Sequence, residues 1–196
     1  MHYHAEIWLP ESVGKSFTAL ESRGELSNLI ANMLERYSEN ADVNEGSGSE
    51  AFYDWYEVGG RCTGRHDHYH GWEDPINMEV CDLCRGTGVR TDNVAAEQDG
   101  MKATRGCNGC HGDGVKVKYS YAPHAQDVMA LKDVRADLEC YTVIIARNLD
   151  EPEIHHIEKW NGSDFVKTGF TGDNIPAFLK EQGITDGYLV TLDYHC

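Results

Sequence analysis

The chain has 196 residues, 40% of them hydrophobic and 26% charged, with 33 acidic against 17 basic side chains and a net charge of −16. That length bounds the protein to one large domain, or one domain carrying a small insertion, and allows a core to be buried without disulfide staples. The charge repels a phosphate backbone, which excludes non-specific nucleic-acid binding by the surface as a whole, and no apolar run reaches the roughly 20 residues of a membrane span.

The N-terminus has no charged-then-apolar leader, so the expected location is a reducing cytoplasm. Seven cysteines, an odd number, suit four metal ligands plus three free thiols better than a disulfide framework. The charge is unevenly spread: the net is −8 over residues 1–60, −2 over 61–80, +1 over 81–118 and −7 over 119–196. An acidic soluble surface explains this blandly. A surface that seeks a basic partner explains the segregation as well.

In chain order, HYHAEIWLP alternates as a strand that Pro10 ends. Ser22 and Glu25 spell a capping box, and Leu26, Leu29, Ile30, Met33, Leu34 and Tyr37 then fall on one helical face. The polar ENADVNEGSGSE reads as loop, and AFYDWYEV as a strand closed by Gly59-Gly60. Past the cysteines, YTVIIARN is a buried strand, and IEKW with DFVKTGF flank Asn161-Gly162 as a hairpin. Asp173 or Asn174 caps a short helix with Pro176 in its first turn and Gly183 beyond its end, and GYLVTLDYH is the last strand. The pattern predicts an α+β fold, an antiparallel or mixed sheet with helices on one face and a ferredoxin-like order as one candidate. Residues 1–80 and 119–196 would form this domain, with 81–118 inserted.

The insertion carries the chemistry. CDLCRGTG (81–88) and CNGCHGDG (107–114) repeat one pattern, so Cys81, Cys84, Cys107 and Cys110 have the spacing of a four-thiolate zinc site. The glycines two and four places after each second cysteine permit the crowded or left-handed backbone of a tight knuckle. TDNVAAEQDGMKATRG between the pairs has little to bury, so one structural Zn²⁺ rather than an apolar core must order the module. A redox dithiol would start a helix, which these glycines disfavour.

The repeated unit CxxCxGxG resembles the cysteine-rich domain of DnaJ-type co-chaperones, which carries four copies. Two copies resemble the half-sized version of the anti-TRAP type, which inhibits by binding another protein. The J-domain's His-Pro-Asp signature is absent. A second, looser resemblance, on DWYEVGGRCTG (54–64), the cysteine repeat and YAPHAQDV (121–128), is to uncharacterised bacteriophage and prophage proteins with a DWYxxGGRWTG stretch. Cys62 stands where that pattern has Trp.

HDHYH offers His66, His68 and His70 on one side if extended, a candidate second metal site. Its setting between Gly64-Arg65 and Gly71-Trp72 reads as a solvated loop. Gly59-Gly60-Arg61 could cradle an anion with its amides, or simply turn the chain. His2, His4, His195 and Cys196 would meet if the terminal strands are neighbours. The expected function is a non-enzymatic module, a phage-encoded modulator or inhibitor that meets a basic protein, with Glu35 and Glu39 on the outer side of the first helix as candidate contacts. The alternatives are a metal-dependent hydrolase using HDHYH with Asp54 or Glu57 as base, and nucleic-acid reading by the zinc knuckle, which could also dimerise the chain.

Overall fold

In the computed structural model of the chain, residues 2–40, 51–67, 74–90, 106–118, 127–160 and 163–196 are described. They belong to two units, Met1–Gly71 joined with Pro123–Cys196, and the inserted Trp72–Ala122. The first strand, β1 (His2–Leu9), stops where Pro10 removes the next backbone donor. A single turn, α1 (Glu11–Gly14), precedes α2 (Arg23–Leu34). On α2 the expected face is buried at Leu26, Ile30, Met33 and Leu34, and Tyr37 is buried in the 3₁₀ turn that follows. The capping box does not form. Leu20–Ser22 already make a 3₁₀ turn that holds Ser22 at ψ 2°, so its hydroxyl donates back to the Ala19 carbonyl (2.7 Å) instead of accepting from the helix.

The remaining elements are β2 (Trp55–Val58), β3 (Met78–Val80), β4 (Val115–Val117), β5 (Val128–Ala130), β6 (Thr142–Ile145), β7 (Glu153–His156), β8 (Glu158–Trp160), β9 (Phe165–Lys167), α3 (Ile175–Glu181) and β10 (Tyr188–His195). Asn174 is the residue that caps α3, its side chain accepting from the Ala177 amide, and Gly183 beyond the end is left-handed at φ 76°. The β8–β9 hairpin pairs as expected, Glu158 opposite Lys167, while most of the polar stretch 39–50 lies outside the described residues.

Six strands form one mixed sheet in the order β2-β10-β1-β6-β7, with β5 also on β10. β1 lies at its centre, antiparallel to β10 from His2↔His195 to Leu9↔Tyr188, and parallel to β6. The class is α+β. The order is not ferredoxin-like, because the first strand of the β6–β7 pair, not the second, lies beside β1.

The helices do not share one face either. Ala5, Ile7 and Leu9 point with Ile144, Val190 and Leu192 toward α2. Trp8 points with Val143, Ile145 and Leu189 to the other side, onto Ile175 and Leu179 of α3. A sheet covered on both faces needs strands that are apolar at successive positions, and β6 is buried at all four. The alternation seen in β1 holds only for its polar first half. Truncation of a central residue should therefore be costly: Ile144→Ala, fully buried, is expected to lose about 2–5 kcal/mol in denaturant unfolding with an unchanged m-value.

Candidate metal centre

Within the inserted unit, β3 and β4 pair with Val80 opposite Val115, and each strand abuts one copy of the repeat. The copies are wired reciprocally. The Cys81 amide donates to the Gly114 carbonyl (3.0 Å) and the Cys107 amide to the Gly88 carbonyl (2.6 Å). Each last glycine thus receives the first cysteine of the other copy. The residue after each second cysteine is left-handed without being glycine, Arg85 at φ 53° and His111 at φ 54°, and the glycines that follow have φ between 72° and 99°. A side chain at Gly88 would run into the Gly112 carbonyl, and one at Gly114 into that of Gly86. This crossing of two backbones is why the motif writes Gly-x-Gly twice.

The result is a convergence of four sulfurs. All four Sγ atoms lie within 4.8 Å of one another, and among the described residues they are the one such group of His, Cys, Asp and Glu ligand atoms. Cys81 and Cys107 are 3.8 Å apart at sulfur, Cys84 and Cys110 3.6 Å. Four thiolates about 2.3 Å from a tetrahedral ion stand about 3.8 Å apart along each edge, so the donor set fits such an ion. Burial raises the Cys84 thiol, but amide hydrogen bonds from Gly88 and Gly86 and the neighbouring thiols outweigh it and hold it at about 7. Burial pushes Cys107 up to about 11, and its contacts with the Cys81 and Cys110 thiols add to that. The Gly114 amide donates to the Cys110 sulfur (3.2 Å), a bond that favours thiolate.

Apart from this set, the predicted residues scatter. His66 is not in a solvated loop: it has no exposed surface and sits in the 3₁₀ turn Arg65–Asp67, while His68 and His70 lie outside the described residues. The reason is Glu6, a carboxylate of β1 with no exposure. Its oxygens can only accept, so Nε2–H of His66 (2.8 Å), Nε2–H of His4 (2.7 Å) and the Thr191 hydroxyl (3.0 Å) donate to it. With that nitrogen turned inward, His66 serves the fold.

Gly59-Gly60-Arg61 opens a turn whose donors hold carboxylates of the protein itself, and of the three residues only Arg61 is seen giving its amide to one. The Arg61 amide donates to Asp193 (3.0 Å), and the Gly64 amide (2.7 Å) and Thr63 hydroxyl donate to Asp127. A Cβ on either glycine would meet those carboxylates, and both glycines have positive φ. His2 and His195 do meet, their rings 5.5 Å apart, and their Nδ1 atoms bond Asp193 and Asp54 (both 2.9 Å). Burial pushes the Cys62 and Cys140 thiols up, so neither is a reactive nucleophile. Glu35 and Glu39 are exposed but past the end of α2, Glu35 in the following 3₁₀ turn and Glu39 bonded by its amide to the Tyr53 carbonyl.

Sequence reasoning missed Glu6, Asp127 and Asp193. A signal existed in the parity of the strands, since Glu6 shares with Trp8, and Asp193 with Leu189, the face of the sheet that α3 covers. Comparison with protein-family models, with curated proteins and with solved structures gives no match.

The Glu6 network has a pH signature. Burial works to raise this carboxyl, but His66 and His4 overcome it and hold it at about 2, below its ordinary 4.5. A depressed carboxyl stabilises the fold above the unfolded value and loses that contribution as pH falls through the folded one. Unfolding titrations should lose up to about 3 kcal/mol from this group between pH 4.5 and 2, and Glu6→Gln should flatten that limb.

Proposed function

We propose that the chain is a non-enzymatic protein-interaction module ordered in part by one structural zinc ion. The observation that carries this reading is that, among the described residues of the inserted unit, the buried hydrophobic cluster consists of the four cysteines. Val80, Leu83, Val89 and Val115 are exposed there. A unit with so little to bury depends on metal binding for its folding free energy. Zinc suits four thiolates without an open position, which is the arrangement of structural rather than catalytic sites.

The partner in this reading is a protein with a basic surface. The net charge of −16 supports it, because opposite charge steers association. The likeness to bacteriophage proteins and to the anti-TRAP type extends the proposal to a modulator or inhibitor of a host protein.

Metal analysis should find one zinc per chain. Cys84→Ser should lose it and unfold residues 81–118, while the larger unit keeps its melting transition. A variant indistinguishable from the parent by metal content and circular dichroism would end the zinc reading. For the partner, association with a protein captured from the native source should slow as salt rises, since exposed charges are screened over about 8 Å at physiological ionic strength. Reversal of Glu35 and Glu39 together should mimic that slowing if their face is used, and salt-indifferent association contradicts the charge-steered reading.

A further inference from the structure

The larger unit contains a cavity of about 950 Å³ beside β7, the end strand of the main sheet. Its walls are aromatic. Tyr3 packs on Tyr141 and Tyr194 with centroids 4.6 and 5.5 Å apart, and Phe178 of α3 packs on His155 (5.1 Å) and Phe170 (4.9 Å). Among the described residues, four carboxylates line it, Glu39, Glu158, Asp173 and Glu181, against one ammonium, Lys159.

His155 adds no positive charge. Burial lowers its pKa, which keeps the ring neutral. Beside it, His156 is held down at about 4 by burial, with Lys159 and His155 adding to the effect. Neither imidazole therefore opposes a cation at neutral pH.

Aromatic faces and surplus carboxylate together select against anions and against plain apolar ligands. A guanidinium meets both demands: it is flat enough to stack, always charged, and carries five N–H donors for the carboxylates. An ammonium satisfies the charge but stacks less well and is more strongly hydrated.

We infer that this cavity is the docking site for an arginine side chain presented by the basic partner protein. The inference rests on the basic-partner reading and narrows it to one place and one side chain. It also gives Glu39 a role, as one of the carboxylates that face the guest.

The probe is the blocked pentapeptide Arg-Ser-Arg-Ser-Arg, titrated into the full-length protein and followed by amide and aromatic NMR shifts, with the lysine and citrulline counterparts as controls. Shifts should concentrate at His155, Glu158, Phe170 and Phe178. The arginine peptide should bind about tenfold more tightly than the citrulline one, which keeps the shape and loses the charge. Lysine should fall between them. Glu158→Gln with Glu181→Gln should weaken binding several-fold, and Phe178→Leu, which keeps an apolar residue at that place, should reduce the preference of arginine over lysine.

Equal binding of the citrulline peptide overturns the inference, as does binding unaffected by these variants. Arginine-peptide shifts confined to other acidic surface overturn the cavity assignment and leave the basic-partner reading standing. Failure of both cationic peptides to bind at low salt removes both.

Discussion

A carboxylate without solvent exposure at the middle of the central strand governs how the larger unit is assembled. Removing a charge from water costs several kcal/mol unless donors replace the lost hydration. Glu6 draws those donors from three places in the chain: His4 on its own strand, His66 on the 3₁₀ turn and Thr191 on the facing strand. The pairing of β1 with β10 is therefore doubly specified. A slip of one residue would carry Glu6 to the α2 face, among the neighbours of Ile7, and would strand Trp8 as well. Asp193 and Asp127 extend the same logic outward, since each takes amides from the Gly-Gly-Arg-Cys-Thr-Gly turn and so fixes the segment that brings His66 to Glu6.

The inserted unit solves the same problem with sulfur. Among its described residues the buried centre is the core itself rather than an addition to one, and four thiols within 4.8 Å of one another stand where apolar side chains would otherwise pack. The two units differ in what would undo them. The larger has apolar clusters on both faces of its sheet, so loss of one polar contact weakens it in proportion. The smaller has no such reserve among its described residues, and its backbone holds Arg85 and His111 in a left-handed conformation that costs about 1–3 kcal/mol each.

What could be read in advance follows from the range of the interaction. Local signals were legible: Pro10 ending β1, the apolar stripe of α2, Asn174 and Gly183 bracketing α3, and the cysteine spacing, whose meaning is carried by a few neighbouring residues. Strands of three or four residues such as β5 and β7 were not, because their pairing is decided by β10 and β6, far along the chain. The capping box failed for a related reason: the turn that precedes Ser22 fixes its backbone before the helix can use its hydroxyl. His66 illustrates the limit. Its flanking glycines said loop, and the carboxylate that buries it lies 60 residues earlier.

The same network changes how the acidic composition should be weighed. Glu6, Asp127 and Asp193 count toward the formal charge, yet all three are buried and bonded to amides, hydroxyls or imidazoles. Their charge is taken up inside the fold, where it orders a turn, and it reaches a partner less than an exposed carboxylate does. The sequence-wide tally therefore mixes two populations of acid. One is structural and belongs with the polar layer under β1 and β10. The other is exposed or half-buried, and part of it gathers where Glu39, Glu158, Asp173 and Glu181 share a cavity with aromatic rings that run from the exposed Phe165 to the buried Tyr194. A carboxylate beside water alone is worth little in recognition, because solvent and salt screen it. In the proposed docking of a cation, a carboxylate beside aromatic faces would be partly desolvated by the guest and act at shorter range, so the position of these few acids would matter more than the size of the total.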